Sequence, residues 1–363
     1  MWSNNLTKTL GIKYPIVQAP MLGITTPAMV AAICNAGALG SLPVGGLTTD
    51  KTVQLIQQTK ALTDKPFAVN LFAHDIPETL DMKVIEGMQD LLEHFTSEHN
   101  IPFQRTSLFD LRFHSYKEQI QVLLDENISI VSFTFGILDD DSINALKQKN
   151  VLLIGTATCV EEAQLLDKKG IDIITAQGIE AGGHRGSFLN TNDLPMIGSM
   201  SLIPQIVAAV HKPVLAAGGI HNGKTIQAAL ALGAQGLQPG SVFIGCTESA
   251  ASDAHKSLLE KSKDTDTVLT NAYTGRWARG LNNAFTKALQ EHAADIPPYP
   301  IQMGLIASLR NMATTGPNLF MPVWAGQSAV AGFSRKDAAT ILHDMIIDAE
   351  KYSAVQVSDT TTA

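Results

Sequence analysis

The feature that most constrains this chain is a regular alternation of short apolar runs with helix-like segments. The runs read PIVQAP (15–20), ALGSL (38–42), PFAVNLF (66–72), SIVSFTFG (129–136), VLLIGTAT (151–158), IDIITAQG (171–178), PVLAAGGI (213–220) and GLQPGSV (236–242). Each is continuous rather than alternating and ends in small or polar residues, as strands buried on both faces do. Helical patterns lie between them. TPAMVAAICNAG (26–37) places Pro early and Gly late, and VEEAQLLDKKG (160–170) has acids in its first turn and Lys-Lys-Gly at its end. NGKTIQAALALGA (222–234) is a further amphipathic segment closed by glycine. Strand and helix alternate about eight times over residues 15–245. This predicts an α/β fold of the (β/α)8 TIM-barrel type. An open Rossmann sheet would want GxGxxG after its first strand, where this chain has APMLGITTPA.

Two stretches exceed a minimal barrel. Residues 73–126 read as a long, mostly helical connection between the third and fourth strands. Residues 246–330 hold a helical segment, the polar KSKDTDT and the Pro-rich IPPYPIQ, and read as a helical lid or substrate subdomain over the barrel mouth. The barrel is then 1–245 together with 331–353, including a last amphipathic helix at about 335–352, and 354–363 is expected to be a disordered tail.

Composition excludes several functions. Hydrophobic residues make up 45% of the 363, enough for a large core, and the net charge is -8 with no basic run. Nucleic acid is therefore not an expected partner, because phosphate-backbone binding needs clustered Lys and Arg. Cys34, Cys159 and Cys246 are far apart and lack CxxC spacing, which suits a reducing cytoplasm, and Cys34 and Cys246, in small-residue or apolar runs, are expected to be buried structural thiols. The N-terminal residues have no secretory h-region, and no apolar run reaches the roughly 18 residues of a membrane helix. A soluble, cytoplasmic protein is expected, as monomer or homodimer. No HExxH metal motif and no GxSxG elbow occurs; His94 and His99 lie in a charged, solvated helix pattern.

In a barrel of this type chemistry gathers at the C-terminal strand ends. Here those ends carry Gln18-Ala19-Pro20-Met21, Asn70, Gln177, Gly218-Gly219 and Gln238-Pro239-Gly240-Ser241. Amides and glycines without carboxylates suit a neutral hydrogen-bonding ring system with a phosphate better than a hard metal ion. Glycines at the ends of strands seven and eight stand where such barrels bind phosphate, and Ser241 can add a hydroxyl. After strand six comes TAQGIEAGGHRGSF (175–188), with His184 among glycines.

These elements resemble the nitronate monooxygenase family, class I, formerly called 2-nitropropane dioxygenases. The resemblance rests on QGIEAGGHRGSF with QAPM, VNLF, AAGGI and WAGQ, and spans roughly 10–350. It implies FMN held non-covalently at the barrel mouth, and oxidation of alkyl nitronates of the propionate 3-nitronate class with O2. Under this resemblance Ala19 and Met21 lie along the isoalloxazine, and Asn70, Gln177 and Gln238 hydrogen-bond the ring or ribityl chain. Gly182 permits close approach, and Gly218, Gly219, Gly240 and Ser241 cradle the phosphate. His184 matches the family's active-site histidine. The strand-eight element reads QPGSVF where QxGTAF is commoner, so serine replaces threonine and Pro239 removes a backbone N–H.

An imidazole can take an α-proton from a nitroalkane or hold the nitronate oxygens. The second role is favoured here, with proton abstraction secondary. Arg185 reads as structural, in an ion pair, with anion steering as the alternative, and Glu180 as a loop anchor. Tyr299 and Trp324 are candidates for the substrate-pocket wall. The FMN-dependent enoyl-acyl-carrier-protein reductases also carry an EAGGH loop. HRG in place of His-aliphatic-Gly, the 73–126 connection and WAGQ favour the monooxygenase. A non-catalytic flavin-binding barrel would leave His184 without a purpose.

Overall fold

The computed structural model describes residues 2–189, 194–312 and 319–353. The expected tail, 354–363, lies outside the described residues. The described residues form ten strands: β1 (Ser41–Pro43), β2 (Ala68–Phe72), β3 (Ile130–Thr134), β4 (Leu152–Ala157), β5 (Ile173–Gln177), β6 (Gly183–His184), β7 (Val214–Ala217), β8 (Gly236–Leu237), β9 (Thr267–Thr270) and β10 (Ala278–Leu281). Seven of them form one parallel sheet in the order β1-β2-β3-β4-β5-β7-β8.

The segment 15–20 closes this sheet into a barrel. Val17 N–H donates to Leu237 O at 2.8 Å, and Gln18 N–H donates to Leu39 O at 2.8 Å, so one stretch bonds to both sheet edges. It makes single bridges at Ile16 and Val17 rather than an extended ladder. Helices cover the outside, and their ends follow local chemistry. Thr26 caps Pro27–Asn35 through Met29 N–H with Pro at the first position, and Asn222 forms a capping box on Gly223–Ala231.

Inside the barrel, Val17, Leu39, Ala68, Ile130, Ile154, Ile173 and Leu215 pack with Leu6 and Leu10 of the N-terminal helix Asn5–Leu10. One end of the barrel is thereby filled with hydrocarbon. The larger core lies between the strands and the surrounding helices, including the last helix, Ala338–Ser353.

The stretches beyond the minimal barrel share a second core. Ile85, Met88, Leu92 and Phe95 of helix Met82–Glu98 pack with Tyr273, Phe285, Leu305, Phe320 and Val323. Residues 246–330 are less helical than the sequence predicts. They contain the antiparallel pair β9–β10, and β10 pairs in turn with β6, placing Ala278 opposite His184. The sequence TVLT is β-branched as a strand should be. Its partner follows a seven-residue connection without a tight-turn signature, and β6 has only two residues.

Candidate active site

His184 is carried to the barrel mouth by a short loop that leaves β5. Gln177, the last residue of β5, holds that loop at two points: its Nε2 donates to His184 O at 3.1 Å, and its Oε1 accepts from Gly186 N–H at 2.8 Å. The amide expected to bond a flavin thus has its first duty toward the histidine loop. Gly183 has φ +69°, a conformation a β-carbon would strain, and this lets the loop turn into β6.

The imidazole sits within a ring of aromatic side chains. Its centroid lies 5.4 Å from Phe135, 5.5 Å from Trp324 and 6.3 Å from Tyr299. Both lid-region aromatics expected at the pocket therefore do meet His184. Tyr299 also stacks edge-on with His74 at 4.6 Å. Burial holds the His74 imidazole down to about 4, so it is neutral, and its Nδ1 lies 3.2 Å from Phe72 O. Opposite the aromatics, His184 Nε2 lies 2.9 Å from Thr274 Oγ1.

Among the described residues, Arg185, Arg276 and Arg279 lie on the loop and strand that adjoin His184. Arg185 is only 1% exposed and donates to Gly178 O at 2.6 Å and Gln177 O at 3.0 Å. Among the described residues carbonyls hold it, with no salt bridge of the kind the sequence reading expects. Desolvation lowers both Arg185 and Arg276 to about 10, still well above neutrality. The Arg276 guanidinium lies 4.3 Å from the Phe135 ring centroid and donates to Phe135 O and Ser187 O. Arg279 donates to Ile179 O at 3.0 Å. The neighbouring carboxylates are each engaged elsewhere. Glu180 accepts from Ser199 N–H at 2.8 Å at the start of helix Ser199–Ala209, a loop anchor as expected. Glu162, fully buried, accepts from Thr158 and from the N–H groups of Phe188 and Leu189.

Gly182 allows the close approach that sequence reasoning expects of it, but to a protein partner. A β-carbon there would lie 2.5 Å from the Ala325 carbonyl carbon. Ser241 Oγ accepts from Gly326 N–H at 2.8 Å, so strand eight, the histidine loop and WAGQ meet at one seam. Gly218 and Gly219 take φ of +101° and +78°, and Gly240 lies against Ala19 and Met21.

Whether these residues fit a phosphorylated ring cofactor can be read from their hydrogen bonding. Among the described residues, the N–H groups of Gly219, Gly240 and Ser241 donate to no protein acceptor. Buried or half-buried backbone donors left this way need a partner. The Gln238 carboxamide, in a residue 8% exposed, has no protein partner either. Such a donor set fits a phosphate at the end of β7 and β8, beside the short 3-10 turn Ser241–Phe243. Asn70 is placed differently from expectation. It is the central residue of β2, not its end, and its Nδ2 donates to Ser132 Oγ at 3.0 Å.

Among the described residues no group of three His, Cys, Asp or Glu side chains is placed to hold a metal ion. Burial pushes the Cys34 thiol up to about 11 and Cys246 up to about 12, so neither is a nucleophile near neutrality. No helix among the described residues is long and apolar enough to cross a membrane. Phe135, His74, Thr274 and Arg276 went unrecognised in the sequence. Phe135 has φ +77°, rare for an aromatic, and no sequence signal reports it.

Comparison with known proteins agrees with this geometry. The family described as nitronate monooxygenase matches residues 3–348. A probable nitronate monooxygenase of Staphylococcus haemolyticus is 43% identical over 332 residues, covering 90% of this chain and 92% of that one. A Staphylococcus aureus relative of the same name is 41% identical over 331 residues, with the same coverage. Among solved structures, a nitroalkane oxidase from Streptomyces ansochromogenes superposes with TM-score 0.86 at 34% identity, over 97% of this chain and 100% of that one. FabK from Thermotoga maritima gives TM-score 0.77 at 26% identity, over 98% and 99%. Match length, identity and fold agree, and the chain belongs to the nitronate monooxygenase family of oxidoreductases.

Proposed function

We propose that this chain is an FMN-dependent nitronate monooxygenase, oxidising alkyl nitronates of the propionate 3-nitronate class with O2 to carbonyl compounds and nitrite or nitrate. The observation that carries it is the seam at Ser241 and Gly326, which joins unpartnered phosphate donors to the loop presenting His184. Gly218, Gly219, Gly240 and Ser241 would hold the phosphate, the Ser241 hydroxyl still having its proton to give. Ala19, Met21 and Gln238 would border the ring, with Asn70 and Gln177 contributing through whatever donors their protein partners leave. When bound, the flavin supplies the electron acceptor for the nitronate and the site of reaction with O2.

The chain's own part is to bind and orient an anion. Among the described residues, the buried guanidinium groups of Arg185, Arg276 and Arg279 lie on the loop and strand that adjoin His184, and fixed positive charge in a poorly solvated site favours a nitronate. His184 holds the nitronate oxygens or takes the α-proton of a nitroalkane. Phe135, Tyr299 and Trp324 wall the pocket and exclude water, with residues 246–330 acting as the lid. A cytoplasmic detoxifying role fits this chemistry.

The test is an oxygen electrode and a spectrum. The purified protein should be yellow, release FMN on heating, and consume O2 with propionate 3-nitronate but not with NADPH and a crotonyl thioester. A colourless protein that cannot be reconstituted rejects the cofactor. Turnover with the thioester alone would instead favour an enoyl reductase.

A further inference from the structure

Thr274 Oγ1 has one proton and two lone pairs. Among the described residues three groups lie within hydrogen-bonding distance: His184 Nε2 at 2.9 Å, Arg276 O at 3.1 Å and Arg276 N–H at 3.3 Å. Two of these have fixed roles, because a carbonyl only accepts and an amide N–H only donates. If the hydroxyl proton goes to Arg276 O, one lone pair receives Arg276 N–H and the other faces Nε2. Nε2 must then carry a proton. The reverse assignment, hydroxyl to Nε2, sets the Arg276 carbonyl against an oxygen lone pair. Thr274 is 4% exposed, so bulk water is not at hand to relieve that conflict.

Both partners are held by backbone. Thr274 lies in a turn closed by Gly275 N–H donating to Asn271 O at 2.8 Å. His184 is held by its pairing with Ala278 and by the Gln177 amide on its carbonyl. The hydrogen bond between them is therefore built in before any substrate arrives.

We propose that Thr274 is a positioning residue that holds His184 as its Nε2–H tautomer, so that proton exchange at this imidazole takes place at Nδ1. The tautomer is argued from the hydrogen bonding at Thr274; its bearing on turnover rests on the function proposed above. With a nitroalkane, the α C–H bond breaks, its proton passes to Nδ1, and its electron pair becomes the C=N π bond of the nitronate. With a preformed nitronate, Nδ1–H of the imidazolium donates to a nitronate oxygen. Nε2–H stays on Thr274 in both cases. One imidazole can thus serve both roles without turning over.

The deciding measurement is a two-bond 1H–15N correlation spectrum of the full-length purified protein labelled with 15N-histidine, at a pH where His184 is neutral. The His184 pattern is assigned by its loss in His184→Asn. The expected pattern has a protonated Nε2 and an unprotonated Nδ1, and an Nδ1–H pattern overturns the proposal without any Thr274 variant. Thr274→Val should mix or reverse the tautomers and lower kcat/KM for nitronates about tenfold or more, while Thr274→Ser keeps the pattern and restores the rate to within about threefold. An unchanged tautomer in Thr274→Val also overturns it. If the wild type oxidises no nitronate, the functional reading fails and the spectrum still decides the role of Thr274.

Discussion

Gly182 and Gly326 meet backbone against backbone, each occupying the space a β-carbon of the other would need. A β-carbon on Gly326 would lie 2.8 Å from Glu180 O and 3.1 Å from Gly182 N. Gln327 N–H donates to Glu180 O at 3.0 Å beside this contact. The two glycine-bearing elements EAGGH and WAGQ, more than 130 residues apart, are thus one structural unit. Neither side can gain a methyl group unless the other withdraws.

Gly182→Ala should therefore push the 325–327 segment outward and, through it, the Gly326 N–H that Ser241 accepts. Overpacking of this kind costs about 1–3 kcal/mol. The expected result is a lower Tm together with a weaker FMN affinity, measured by flavin fluorescence on titration. Unchanged flavin affinity at a lowered Tm would separate the seam from the cofactor site.

His184→Asn should retain FMN, because none of the phosphate or ring contacts assigned here uses the imidazole. Turnover of nitronates should fall at least about 100-fold, the scale on which positioned acid–base or anion-holding groups act. Stopped-flow flavin reduction measures the step directly. A wild-type rate in the variant would remove the imidazole from the chemistry.

Glu162 shows how a buried carboxylate can serve the site from a distance. It accepts from Thr158 N–H at 2.6 Å, Thr158 Oγ1 at 2.7 Å, Phe188 N–H at 2.6 Å and Leu189 N–H at 3.2 Å. Glu162→Gln turns an amide NH2 toward donors and should destabilise the protein by about 2–3 kcal/mol. Urea unfolding measures this. The loss should be accompanied by faster proteolysis near 185–189, the loop that the carboxylate ties down.

Much of this was legible in the chain. Continuous apolar runs mark the parallel strands, and the glycines at the ends of the last two of these runs mark the place where the structure leaves backbone donors over. Position-specific motifs found His184, Gly182 and WAGQ, though not that the last two touch. The sheet formed by β6, β9 and β10 was not legible, because each strand is short and β6 adjoins the other two only after the chain has folded back. Thr274, Phe135 and Arg276 were missed for the same reason. They reach the site through that sheet, its connecting turn and a left-handed backbone residue, none of which leaves a periodic trace.

Acid should weaken the fold through two histidines. Burial lowers both His74 and His255 from 6.5 to about 4, outweighing the backbone of Phe72 and of Trp324, which pull the other way. Between pH 4 and 6.5 the unfolded chain binds these protons and the folded chain does not, so stability rises with pH across that window. The full contribution is present above 6.5, is lost progressively as pH falls toward 4, and changes no further below it. Each histidine amounts to about 3 kcal/mol at the acid limit. His255→Gln keeps a polar side chain of similar size but cannot titrate, so it should halve the slope of unfolding free energy against pH between 6.5 and 4. An unchanged slope would place the acid sensitivity elsewhere. Because Trp324 packs on His184, the same variant should also flatten the acid loss of nitronate turnover that arises from loosening of this wall.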